Sequence, residues 1–354
     1  MNYEQFIHPS KSIFLVDMTK EIDHYFSELT IGGIHKYLKL GKKIGIIVNK
    51  KGYSNGIICY ECGHIPQCKK CSVSISYHKQ ANGEMLGLCH ICKTQYLMPQ
   101  ICEKCGSKKI KPYGIGAQQV AEKLQQEFSI KPIIIESDTV NSTVKVKKLF
   151  SQLSDPADKK SGKSSIIVGT QLLCQPIKDH PLDLLIFLNA DIGLNMPDYT
   201  ANERNFQILY EAFTKHSDTQ FIVQTMKSDQ FSIRFACKMD KDGFYAAEWA
   251  FRKEYNYPPF GELCVILYKN EIESRLFKKV DTLHQELLYL KQKYQMDNLE
   301  IYSTPPLIYK MFGKYRYHII LKGDNLRNFM DIVYTKLDLY AKGFKIDWMA
   351  SSIV

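Results

Sequence analysis

The sequence predicts an α/β chain: a doubly wound, mostly parallel sheet interrupted by a cysteine-rich insertion and followed by a ferredoxin-like α+β unit. Three observations predict it. Short apolar runs alternate with amphipathic helical stretches on both sides of residues 56–108, four Cys-x-x-Cys pairs crowd into that interval, and the last third runs β-α-β-β-α-β. The expected division is 1–55 with 109–230 for the sheet unit, 56–108 for the insertion and 231–354 for the C-terminal unit.

Each element follows from local pattern. Ser12-Ile-Phe-Leu-Val-Asp17 and Lys43-Ile-Gly-Ile-Ile-Val-Asn49 are short apolar runs between polar residues, read as buried strands, and Ser27 to Leu40 between them has helical periodicity. After the insertion come a helix over Ala117–Phe128, a strand over Pro132–Glu136, a helix around Thr143–Leu153, and strands over Ser165–Gly169, Leu184–Asn189 and Phe221–Thr225. Strands apolar on every residue, alternating with helices, need cover on both faces, which parallel pairing with crossover helices supplies. The C-terminal unit reads as strand Leu263–Tyr268, helix Ile272–Tyr294, strands Leu299–Ser303 and Arg316–Lys322, helix Asn325–Ala341 and strand Phe344–Trp348. Leu276, Val280, Leu283, Leu287 and Leu290 recur on one face of its long helix and are core.

Eight of the eleven cysteines form the pairs Cys59/Cys62, Cys68/Cys71, Cys89/Cys92 and Cys102/Cys105. Two residues between cysteines let both sulfurs approach one Zn²⁺ at about 2.3 Å, so two tetrahedral four-thiolate sites are expected. Seventeen residues separate Cys71 from Cys89, a zinc-ribbon interval that favours the inner pairs sharing one metal and the outer pairs the other. Gaps of five and nine residues leave sequential pairing open as well. With four thiolates each, neither metal keeps a position for water, so the two Zn²⁺ are structural. Cys174, Cys237 and Cys264 are isolated and read as core thiols.

The 47 basic residues exceed the 37 acidic by ten, in clusters that include Lys69-Lys70, Lys108-Lys109 and Lys145-Val146-Lys147-Lys148. Such an excess favours a polyanion, nucleic acid above all, although any one cluster also fits a solvated surface. No apolar run approaches the roughly 18 residues of a membrane span, and Met1 to Ser12 lacks a signal-peptide pattern. A soluble, cytoplasmic protein is expected. Gly162-Lys163-Ser164 is not a phosphate loop, because Ala157 stands where the first glycine belongs and a strand follows where a helix is required.

The cysteine array sits among Asn49-Lys-Lys-Gly-Tyr53, Cys59-x-x-Cys62-Gly63, Cys89-His90-x-Cys92 and Cys102-x-x-Cys105-Gly106-Ser107. Further motifs are Gly114-Ile-Gly116, Ile167-Val-Gly169-Thr170-Gln171, Asn189-Ala-Asp191 through Pro197-Asp198, Glu203-Arg204-Asn-Phe206, and Tyr257-Pro-Pro-Phe260. Through these the chain resembles the C-terminal half of the PriA family (primosomal protein N′), superfamily-2 DNA helicases of replication restart. The resemblance implies a RecA-like second helicase lobe, one zinc on Cys59, Cys62, Cys102 and Cys105, and another on Cys68, Cys71, Cys89 and Cys92. It also implies DNA and primosome proteins as partners near the module, and DNA contact by the C-terminal unit. The lysines Lys69 and Lys70 and the basic-aromatic run Lys314-Tyr315-Arg316 are the candidate nucleic-acid contacts, since aromatic faces stack on bases while Lys and Arg hold phosphates. A turn leading into a half-buried strand is the competing reading of that run.

The chain also departs from the family. Neither a Gly-rich phosphate loop nor an acidic Mg²⁺ motif is present, and Tyr210-Glu-Ala-Phe-Thr-Lys-His216 has no arginine where the family places its finger. Cys174-Gln-Pro-Ile-Lys-Asp-His-Pro181 replaces a Lys-Gly-His type sequence, and Gly116-Ala117-Gln118 a Gly-Thr-Glu type. The expectation is a DNA- or primosome-binding protein that does not hydrolyse ATP. The alternatives are half of a split helicase, with Lys215 or Lys178 a poor substitute for the finger, and a protein-interaction scaffold without nucleic-acid affinity.

Overall fold

The computed structural model describes residues 2–23, 25–48, 56–59, 61–62, 64–70, 75–79, 84–89, 92, 94–113, 116–135, 165–175, 181–191, 193–194, 198–306 and 308–348. In chain order the first elements are β1 (Tyr3–His8), β2 (Lys11–Asp17), α1 (Glu28–Lys39) and β3 (Ile44–Ile47). The insertion holds β4 (Gly56–Cys59), β5 (Ser76–Lys79), β6 (Met85–Leu88), β7 (Gln95–Leu97) and β8 (Ile110–Tyr113). There follow α2 (Ala117–Phe128), β9 (Ile133–Ile135), β10 (Ile166–Gly169), β11 (Leu184–Phe187), α3 (Ala201–Lys215), β12 (Gln220–Thr225), α4 (Phe231–Cys237) and α5 (Lys241–Glu254). The last unit is β13 (Glu262–Asn270), α6 (Glu273–Lys293), β14 (Glu300–Thr304), β15 (Lys310–Met311), β16 (Lys314–Gly323), α7 (Leu326–Lys336) and β17 (Lys345–Trp348).

The first sheet has seven strands in the order β1-β2-β12-β11-β3-β10-β9, parallel throughout except for β1, which pairs antiparallel with β2. Because side chains alternate between faces, each central strand feeds two cores. Ile44, Ile46, Ile166, Val168, Leu184 and Ile186 pack under α1 and α2, while Ile47, Ile167, Leu185 and Phe187 pack under α3. This explains why β3, β10 and β11 carry no polar residue. Gly45 is needed where β3 passes β11, since a Cβ there would lie 2.7 Å from both Leu182 Cδ1 and Leu185 Cδ1. Helix α1 starts where the Ser27 hydroxyl accepts the Thr30 amide at 3.1 Å, and buried Gln224 on β12 accepts the Ser27 amide at 2.9 Å.

Two features depart from the expected outline. Strand β1 has a mixed polar sequence that does not read as an apolar run. Helices α4 and α5 follow residue 230, yet Ile233, Ala236, Cys237 and Phe244 belong to the first core, and the Phe244 ring stacks on Phe206 at 3.9 Å. The expected boundary at 231 therefore falls ahead of two helices that pack with the first sheet. The helix expected around Thr143–Leu153 and the loop over 159–164 lie outside the described residues.

The C-terminal unit is a five-stranded antiparallel sheet ordered β14-β16-β13-β17, with the short β15 also paired to β16 and with α6 and α7 on one face. Leu276, Val280, Leu283, Leu287 and Leu290 are all buried against it, as the periodicity of α6 predicts. The helix expected to reach Ala341 ends at Lys336, and the β15–β16 hairpin extends the strand predicted over Arg316–Lys322. Arg252 on α5 donates to Glu248 at 2.8 Å and to Glu203 on α3 at 2.7 Å, and its guanidinium lies over the Tyr199 ring. Tyr199 in turn stacks on Tyr257 at 5.2 Å and touches Leu263, Val265 and Ile320, so this cluster joins the two sheets. Among the described residues no helix is long and apolar enough to cross a membrane.

Replacing Phe244 by alanine removes a fully buried ring between α5 and α3. The expected cost is about 3–5 kcal/mol, read as a lower urea midpoint for the first sheet unit. A cost below about 1 kcal/mol would mean that α5 is not part of that core.

Candidate metal centres and a basic surface

The insertion is built to bring sulfurs together. Strand β4 ends on Cys59 and pairs antiparallel with β8, Cys59 facing Ile110, which carries the first cysteine pair to the last. The β5-β6-β7 sheet does the same for the inner cysteines, with Cys89 directly after β6. In three pairs the first cysteine closes the same turn, its amide donating to the carbonyl five residues on: Cys59 to His64 at 2.9 Å, Cys89 to Thr94 at 3.0 Å and Cys102 to Ser107 at 2.8 Å. Such knuckles aim backbone N–H groups at the sulfurs, as an anionic ligand needs.

The sulfurs gather into two sets, Cys59, Cys62, Cys102 and Cys105 in one and Cys68, Cys89 and Cys92 in the other, each set within 4.8 Å of one another. Cys71 lies outside the described residues. The sets follow the nested pairing; the sequential alternative is not what the chain builds. Separations of 3.6 Å for Cys59–Cys105, 3.7 Å for Cys62–Cys102 and 3.6 Å for Cys68–Cys92 match the edge of about 3.8 Å that a tetrahedron with metal–sulfur bonds of about 2.3 Å requires. Both sets can hold a metal ion, and an all-sulfur donor set is the chemistry that selects Zn²⁺ over harder cations.

Electrostatics within the sets point the same way. The Thr94 hydroxyl, 3.1 Å from Cys92 Sγ, is the largest influence lowering the Cys92 thiol to about 6. Burial works against the Cys59 thiolate, but amide hydrogen bonds from Cys62 and Glu61 outweigh it and bring Cys59 to about 7. At Cys105 the Ser107 amide favours the thiolate, yet the neighbouring sulfurs and burial prevail and push it up to about 12. Four sulfurs this close cannot all ionise unless a cation takes up the charge.

Tyr96 is a residue that cysteine spacing does not reveal. Its hydroxyl donates to Cys68 Sγ at 3.0 Å and accepts the Lys69 amide at 3.2 Å, so it fixes both a ligand and the turn that follows it. The remaining three cysteines, Cys174, Cys237 and Cys264, are buried in the cores, and burial pushes Cys174 and Cys264 up to about 12.

Of the candidate nucleic-acid contacts, Lys69 and Lys70 lie exposed on the turn after Cys68. The Lys70 carbonyl accepts the Gly313 amide at 3.0 Å, which sets this turn against the tip of the β15–β16 hairpin, next in sequence to Lys314. Lys314 is exposed, with Glu271 3.7 Å away. Tyr315 is half-buried beneath Lys310, whose ammonium lies 4.3 Å from the ring centre; sequence reading passed over Lys310. Arg316 is not exposed with them: it shares a face of β16 with Lys314 but is buried, and its guanidinium donates to the Ile308 carbonyl at 3.3 Å. Burial, followed by the charges of Arg316, Lys345 and Lys314, holds the Lys269 ammonium below its usual lysine range, so positive charge is concentrated at this end of the sheet.

Replacing Cys68 by serine removes one ligand of the inner set. The expected outcome is metal content falling from about two ions to about one per chain, with the first sheet still cooperatively folded. Acidification should release metal from both sets, because protons compete with it for thiolates. Two retained ions in the variant, or metal content independent of pH, would contradict four-thiolate coordination.

No family model matches the chain. It is 31% identical over 317 residues to the replication restart protein PriA of Borreliella burgdorferi, covering 88% of this chain and 46% of that protein. It is 28% identical over 319 residues to PriA of Bacillus subtilis, covering 88% of this chain and 38% of the relative. For PriA of Rickettsia conorii the figures are 26% over 355 residues, 94% and 52%. The chain thus spans about half or less of the length of these curated relatives. Over 88–94% of its length the chain is similar to the PriA replication restart proteins, consistent with their C-terminal half.

Proposed function

We propose that this chain acts in DNA replication restart by binding forked or single-stranded DNA, together with primosome proteins, and does not itself hydrolyse ATP. In this reading the first unit is a RecA-like second helicase lobe, the insertion a structural two-zinc module, and the C-terminal unit a ferredoxin-like domain. The zincs are held by Cys59, Cys62, Cys102 and Cys105 and by Cys68, Cys71, Cys89 and Cys92. The observation that carries the proposal is the hydrogen bond between Lys70 and Gly313, which sets the lysine-bearing turn of the module against the tip of the C-terminal hairpin. Ammonium groups on one surface gain affinity by releasing condensed counterions from a phosphate backbone.

The absence of ATP hydrolysis rests on what occupies the site of the family's finger. Lys215 is tied to Glu211 at 2.9 Å and to Gln175 at 3.0 Å, so its charge is already spent within the chain. An ammonium also lacks the planar fork with which arginine clamps a transferring phosphate. The split-helicase reading draws on one observation: a cleft lined by Gln171, Arg204 and Glu211 just past the C-terminal end of β10, where open α/β sheets bind ligands.

Binding of the zinc-loaded chain to forked and single-stranded DNA should weaken steeply with salt, by about 0.7 in log K per log salt for each single-strand phosphate contacted. Changing Lys69 and Lys70 to alanine should flatten that slope by about 1 per lysine. No binding at low salt would leave the scaffold reading in its place. ATP turnover by the chain alone on a DNA fork would overturn the non-hydrolysing reading.

A further inference from the structure

The loop between β15 and β16 has two residues, Phe312 and Gly313, since Met311 pairs with Lys314. Both have positive φ, 51° and 82°, as the type I′ turn of a tight hairpin demands. That turn favours Asn-Gly or Asp-Gly, because asparagine and aspartate tolerate the left-handed region while a bulky side chain there is strained. Six described non-glycine residues have positive φ, and Phe312 is the aromatic one. Its ring is not repaid by burial, for Phe312 is 62% exposed.

A strained, solvent-facing aromatic at a hairpin tip brings no stability that an asparagine would not exceed. Its surroundings fit a specific ligand: Lys314 follows at the next described position but one, exposed Lys69 and Lys70 lie across the Lys70–Gly313 hydrogen bond, and Lys310 opposes Tyr315 at the base of the hairpin. Two acids lie close by: exposed Glu271, 3.7 Å from Lys314, and Glu273, which accepts from the Tyr309 hydroxyl at 2.6 Å. An exposed apolar ring at a hairpin tip whose backbone meets a lysine-bearing turn suits a chain that offers a flat base between phosphates, which is single-stranded nucleic acid.

We propose that Phe312 is a base-stacking contact for single-stranded DNA, its ring held out by the strained turn while Lys69, Lys70 and Lys314 hold the flanking phosphates. This rests on the DNA-binding reading above and names the residue that meets the base.

The decisive variant is Phe312→Asn, which removes the ring and gives the turn its preferred residue. In the zinc-loaded full chain its thermal midpoint should equal or exceed that of the parent. Affinity for an oligo-dT strand carrying one fluorescent adenine analogue should fall about 5- to 150-fold, the stacking quench should disappear, and the salt slope should stay unchanged. Phe312→Trp should restore affinity and quench. A stable Phe312→Asn variant with parental affinity and quench overturns the stacking proposal alone. A parent chain that fails to bind the strand at low salt overturns the DNA-binding reading beneath it.

Discussion

The insertion is organised around two sets of sulfur atoms, each gathered closely enough to hold a metal ion. Among the described residues the apolar cluster of the insertion is small: Ile57, Ile75, Tyr77 and a few half-buried neighbours around Cys68 and Cys89. A metal ion held in each sulfur set would contribute on the order of 10 kcal/mol or more. Gly87 on β6 lies tightly against the β5 strand: a Cβ there would lie 2.7 Å from Ile75 and 2.9 Å from its paired residue Tyr77. Tyr96, which bridges the Cys68 sulfur and the Lys69 amide, links the inner sulfur set to the turn that faces the C-terminal hairpin.

The two sheets are joined by a different kind of interaction. Glu248 is fully buried, and burial raises its pKa while Arg252 draws it down. A buried carboxylate is tolerable only with such a partner, and removing the partner from a pair of this kind costs about 3–5 kcal/mol. Arg252 also answers Glu203 and covers Tyr199, so one side chain links α3, α5 and the aromatic stack that seats the C-terminal sheet. At the other end of β16, the Lys322 ammonium donates to the Tyr255 carbonyl at 2.9 Å and lies over the Tyr257 ring.

Sequence reading recovered the features set by period and spacing. The apolar runs of β3, β10 and β11 could only be strands covered on both faces, and the leucine stripe of α6 could only face a core. The division of cysteines into two sets was favoured by one interval and left open by others, and the chain resolves it by pairing β4 with β8. What escaped was set by tertiary contact. Strand β1 is an edge strand whose polar residues meet solvent, α4 and α5 reveal their allegiance only through Phe206 and Phe244, and Arg316 looks like a phosphate ligand until the chain folds it under cover against the Ile308 carbonyl. Phe312 carries no pattern at all, because its significance lies in a dihedral angle.

The joint between the insertion and the C-terminal hairpin uses a carbonyl and an amide, groups common to nearly every residue type. Substitution can therefore exchange the side chain at position 70 without severing the joint, whereas position 313, with its φ of 82°, has far less freedom. The two halves of the surface can consequently diversify their charge during descent while their mutual placement is inherited intact.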